Sequence, residues 1–110
     1  MTLKLNPEPR MLADFAPLIS CEMPELCSAP VELLKRYGVA ISYAEENTLE
    51  AVRLVINGAY DWGPGQTEPD TSAKLYERLS AITRLTDELD YLHRAQDQVF
   101  AALAAKVRRE

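Results

Sequence analysis

Histidine and tryptophan each occur once in this chain of 110 residues, and cysteine occurs twice. A lone histidine could supply the second Glu-x-x-His pair of a carboxylate-bridged di-iron bundle only through the symmetry of a dimer, and further inward ligands on the other helices would still be required. The cysteines, Cys21 and Cys27 in CEMPELC, are not a CxxC pair, and no second pair completes a zinc site. They read either as reduced, partly buried thiols or, in an oxidising compartment, as a disulfide closing a small loop. No stretch approaches the roughly 18 consecutive apolar residues of a membrane-spanning helix. The opening MTLKLNPEPRMLADFAPLIS has no uninterrupted apolar segment, because Pro7, Pro9, Asp14 and Pro17 break it. It therefore does not read as a secretory signal, and a cytoplasmic protein is expected.

A basic stripe is also missing. The net charge is −5. Residues 1–42 carry four Lys/Arg against five acids, residues 43–70 one against six, and residues 71–110 seven against six. Sequence-independent binding to nucleic acid needs several clustered cations, so direct DNA or RNA contact is not expected. The acidic middle segment suits either a solvated face or a basic partner surface. The Gly-rich stretch YDWGPGQTEPD has no strand before it and no Lys after its glycines, which excludes a phosphate cradle. Its Trp62 reads either as a cover over a helix end or as an exposed binding anchor.

What is present is helical. With 47% apolar and 26% charged residues the composition is that of one ordinary globular domain. Residues 1–27 form a Pro-rich arm, expected to be irregular save for one helical turn near 10–16, because Pro7, Pro9, Pro17 and Pro24 lack an N–H. Met11, Leu12, Phe15, Leu18 and Ile19 are too apolar for a solvated tail, so the arm docks on its own domain or on a second chain. In the helical domain, 28–110, a first helix is expected over 29–37, with Ser28 as N-cap and Gly38 as its left-handed stop. Val39-Ala40-Ile41 would be an extended connector. Ser42 and Glu45 would form a capping box opening a helix over 43–60, with Leu49, Val52, Ile56 and Ala59 on its apolar face. A final helix, capped by Asp70 or Thr71, is expected over 71–108. At 1.5 Å per residue it would span about 57 Å, longer than a domain of this size, so it breaks or its overhang packs on another molecule.

Counting in sevens along that helix gives Leu75, Ile82, Leu89, Gln96 and Leu103. Four residues later stand Leu79, Thr86, His93, Phe100 and Val107, and three later Arg78, Leu85, Leu92 and Val99. Such a stripe suits a bundle or an intermolecular helix pair. His93 lies on it, amid Asp87, Glu88, Asp90 and Asp97. Asp90 and His93 share a face at i,i+3, but the further inward ligands of a metal site are missing: Glu46 and Glu50 fall on a polar face. No nucleophile can be placed beside His93. It therefore reads as a hydrogen-bonded seam residue, a solvent-edge residue or an interface residue. Thr86, His93 and Gln96 interrupt the seam and could specify register.

The whole is an all-α protein: a small helical domain with a Pro-rich N-terminal arm and a long C-terminal amphipathic helix, expected to homodimerise. No catalytic residue, metal or cofactor is assigned. Protein-interface candidates are Met11, Leu12, Phe15, Leu18, Ile19, Trp62, Leu85, Leu92, His93, Val99 and Phe100. The layout of an apolar arm, short helices and a long last helix beginning DTSAKLYERL resembles the quorum-sensing antiactivators of the QslA type. The resemblance covers size and element order over most of the chain and carries over no functional residue. It implies a small helical dimer that binds a LuxR-type transcription regulator and blocks its dimerisation or DNA binding, with no DNA contact of its own. The alternatives are a small ligand- or metal-binding helical bundle using His93, Asp90 and Asp97, and an assembly subunit of a larger complex.

Overall fold

The computed structural model describes residues 4–60 and 72–109. The order is a 3-10 turn Leu12–Phe15, α1 Ala16–Ser20, α2 Met23–Leu26, α3 Val31–Tyr60 and α4 Ser72–Arg109. The fold is all-α, and no strand occurs among the described residues. The helix α3 is antiparallel to α4: Ser42 meets Gln96, Glu45 meets His93, and Val55 meets Arg78. The molecule measures 63 × 24 × 22 Å, with a radius of gyration of 18.7 Å. A compact chain of this length would have a radius of about 13 Å, so the hairpin makes a rod.

The first expectation to fail is the break at Gly38. One helix runs through residues 38–42, so the helices expected over 29–37 and 43–60 are one. A single interior glycine costs about 1 kcal/mol in a helix. That is small beside the continuous buried face on which Leu34, Tyr37 and Ile41 stand, each fully buried in the core. Ser42 is consequently no N-cap; its Oγ accepts from Gln96 Nε2 at 3.0 Å. Ser28 does not cap α3 either, since its hydroxyl donates to the carbonyl of Glu25. The Asp70/Thr71 cap and Trp62 lie outside the described residues.

Residues 4–30 are more ordered than their prolines suggest. Pro17 and Pro24 stand in the first turns of α1 and α2, where the missing N–H would have had no helical partner anyway. Asp14 ties the segment down by accepting from the backbone N–H groups of Arg10 and Met11, both at 2.9 Å, and from Asn6 Nδ2 at 3.2 Å. Four long-range bonds hold it on the hairpin, one of them from Arg36 Nη1 to the Pro7 carbonyl at 3.4 Å. The Asn6 N–H donates to Tyr37 Oη at 2.8 Å, Tyr91 Oη to the Leu12 carbonyl at 2.8 Å, and Gln98 Nε2 to the Leu18 carbonyl at 3.2 Å. Phe15 meets the Tyr37 ring edge-on, with centroids 6.1 Å apart. The core is built where this segment covers the hairpin, from Phe15, Leu18, Leu26, Leu34, Tyr37, Ile41, Leu92, Ala95, Val99 and Ala102.

Candidate protein interface

The lone histidine sits at the middle of the rod, but its partner is not Asp90 or Asp97. His93 Nε2 lies 3.6 Å from Glu45 Oε2 across the hairpin, with the imidazole exposed and the Glu45 side chain only 21% exposed. The other Glu45 oxygen, Oε1, is buried without a hydrogen-bond partner. Among the described residues no group of three His, Cys, Asp or Glu is placed to hold a metal ion. The cysteines are free thiols. Cys21 Sγ donates to the Leu18 carbonyl, and burial pushes its thiol pKa up, the opposite of what a nucleophile needs.

The apolar candidates divide into two groups. Phe15, Leu18, Leu92 and Val99 were expected to offer an interface, but each is fully or almost fully buried in the core. The arm claims Phe15 and Leu18, and close helix pairing claims Leu92 and Val99. Ile19 and Leu85 are half-buried. Met11, Leu12, His93 and Phe100 are exposed. Trp62 lies outside the described residues.

Further apolar side chains outside these candidates are exposed. Val39 and Tyr43 stand on α3, at the positions expected to be a connector and a helix start, and both are exposed. They separate two open grooves. One, of about 530 Å³, runs between α3 and α4 and is walled by Tyr43, Phe100 and Leu103, with Gly38 and Gln96 among its lining residues. The other, of about 520 Å³, lies between α3 and the loop Pro7–Arg10, and Lys35 and Arg36 line it. Gln96 holds the first groove's base together: Nε2 donates to the Gly38 carbonyl at 3.1 Å and to Ser42 Oγ, while Oε1 is buried and unpartnered. Leu79 and Val107 on α4 are also largely exposed. They lie in one row of the seven-residue repeat, which the sequence shows; which row faces outward is set by the fold.

The described residues offer long apolar side chains around shallow, open grooves, an arrangement suited to binding. No helix among the described residues is long and apolar enough to cross a membrane. Compared with protein-family models, curated proteins and solved structures, the chain matches none in any of the three.

Proposed function

We propose that the chain is a non-enzymatic protein-interaction regulator acting in the cytoplasm, and that it inhibits a transcription regulator of the LuxR type by occupying a surface that regulator needs for dimerisation or DNA binding. One observation carries the reading. The hairpin leaves a set of large apolar side chains exposed, Val39, Tyr43, Leu79, Phe100 and Val107 among them, in a molecule whose described residues assemble no metal-binding group. Val39, Tyr43 and Phe100 gather around one groove, and clustered exposed apolar side chains of this kind suit a protein-binding surface. The receptor class comes from the resemblance in layout to the QslA-type antiactivators, and the net charge of −5 suits a protein that does not itself touch DNA.

The test is to recover the tagged protein from its native cells and identify stoichiometric companions by mass spectrometry. The purified companion is then titrated on its operator DNA. A transcription regulator that co-purifies and leaves its DNA as this protein is added supports the reading. Recovery of the chain without any regulator sinks it. Substituting Tyr43→Asp, on the surface between the two grooves, is expected to weaken capture at least tenfold without unfolding the helix.

A further inference from the structure

Among the described residues two polar side chains are buried, Thr48 and Gln96. Thr48 is satisfied, its hydroxyl donating to the Ala44 carbonyl at 2.8 Å. Gln96 is satisfied at one end only. It is 9% exposed, and Nε2 donates to the Gly38 carbonyl at 3.1 Å and to Ser42 Oγ at 3.0 Å. A carbonyl can only accept, so the contact with Gly38 fixes which end of the amide is nitrogen. Oε1 is left buried with no donor, which protein interiors rarely tolerate. Its side chain lines the groove between α3 and α4.

Gly38 leaves the way to that oxygen open. A Cβ built there would stand 3.6 Å from Gln96 Oε1 and 3.6 Å from Val99 Cγ1, and no further atom of α4 lies within 4 Å of it. The glycine therefore makes a notch beside the acceptor, in a helix that alanine would stabilise. The groove around the notch is aromatic and apolar. Each helix contributes one exposed ring, Tyr43 at 65% and Phe100 at 58%, and Val39 and Leu103 extend the wall. Its charged lining residues are one of each sign, Lys35 and Glu46, and Lys35 already pairs with Glu32 at 3.8 Å.

We infer that this groove receives a tryptophan side chain presented by a partner protein, with the indole N–H donating to Gln96 Oε1 over Gly38 and the ring lying between Tyr43 and Phe100. Three properties select that group. An indole has one donor and no acceptor, which matches a site with one unpaired acceptor. It is neutral. A lysine or arginine would bring a charge into a groove whose own charges cancel, and a single neutral acceptor does not offset that desolvation. It is also flat and apolar, which suits edge-on or offset contact with two rings, and tryptophan is among the residues that dominate interface energies.

The shape of the groove selects a protein as the source. Its lining on α3 runs from Lys35 to Glu46, about 16 Å at 1.5 Å per residue. One indole covers only part of that length, and small ligands are held in clefts that bury most of their surface, whereas this groove is open along its side. A partner segment of about three helical turns spans it, with apolar neighbours of the tryptophan on Val39 and Leu103. The inference rests on the reading of the chain as a protein-binding regulator, though not on the class of regulator. Capture from cells tests the regulator; defined probes on the purified chain test the groove.

The experiment is an NMR titration of the isotope-labelled full chain. The probes are a capped helical peptide of about 11 residues with one central Trp flanked by Leu, the same peptide with its indole nitrogen methylated, and N-acetyltryptophanamide. The Trp peptide should shift the Gly38 backbone amide and the Gln96 side-chain amide saturably. It should bind at least ~10-fold more tightly than the methylated peptide, which keeps the ring and loses the donor, and more tightly than N-acetyltryptophanamide. Gly38→Ala fills the notch, so its thermal midpoint should hold or rise while its affinity for the Trp peptide falls to that of the methylated one. Gln96→Leu, with helicity checked by circular dichroism, should make the two peptides bind alike. No saturable shift at Gly38 and Gln96, equal affinity of the two peptides for the wild type, or undiminished binding by Gly38→Ala would overturn the inference. N-acetyltryptophanamide binding as tightly as the Trp peptide would overturn the protein source in favour of a small indole compound.

Discussion

At the scale of single residues, Asp14 and Gly38 have the clearest consequences. Asp14 has its carboxyl pKa lowered, first by the Arg10 backbone N–H, then by that of Met11, then by the Asn6 amide. A folded-state pKa below the unfolded one means the bonds stabilise the N-terminal turn above about pH 4. That contribution is lost as the pH falls through the lowered value. Acid titration by NMR should show the Arg10 and Met11 amide resonances shifting with the Asp14 carboxyl, and Asp14→Asn should remove that linkage. Gly38 bends the other way. A methyl group placed there would meet Gln96 Oε1 and Val99 Cγ1 at 3.6 Å, ordinary contact distance. Gly38→Ala should therefore stabilise the protein, by roughly 0.5–1 kcal/mol from helix propensity and the stiffer unfolded chain. Thermal denaturation decides it: a lowered midpoint would show that the crossing has no room.

At the scale of elements, the N-terminal segment behaves as a structural layer. Leu18 is fully buried, so Leu18→Ala should cost about 3 kcal/mol by urea denaturation. Tyr37→Phe leaves the Asn6 N–H without its acceptor and should cost about 1 kcal/mol, with hydrogen exchange at Asn6 accelerated more than in α4. If exchange rises equally everywhere, the segment and the hairpin unfold as one unit and the bond has no local role. Burial raises the Tyr37 and Tyr91 phenol pKa values, each as the largest cause. Both hydroxyls stay protonated and able to bond to the segment in neutral solution.

At the scale of the whole molecule, shape and function meet. A rod 63 Å long and 22 Å thick cannot bury both sides of a two-helix layer with one short N-terminal layer. The side opposite α1 and α2 is not covered by that layer, and Leu79, Phe100 and Val107 are exposed. Thr86, His93 and Gln96 interrupt the apolar rows of α4, and polar residues at such positions trade stability for specificity. Replacing all three with Leu should raise the thermal midpoint while loosening the oligomeric state, read by sedimentation equilibrium. A single, unchanged species from the triple variant would show that these residues do not set it.

How much of this was legible beforehand differs by feature. The all-α class, the length of α4 and its seven-residue rows follow from composition and local periodicity, which depend on helix geometry alone. The expected end of a helix at Gly38 failed because capping signals are worth about 1 kcal/mol, whereas the face through Leu34, Tyr37 and Ile41 buries three large side chains. His93 among its neighbouring acids could be seen in the sequence, but its pairing with Glu45, 48 positions away, needs the hairpin's register. The same holds for the interface candidates. Apolarity marked Phe15, Leu18, Leu92, Val99 and Phe100 alike. Only tertiary packing decided that the first four are core and the last is surface: docking of the N-terminal segment buries Phe15 and Leu18, pairing of the two long helices buries Leu92 and Val99, and Phe100 falls on a face of α4 that neither covers.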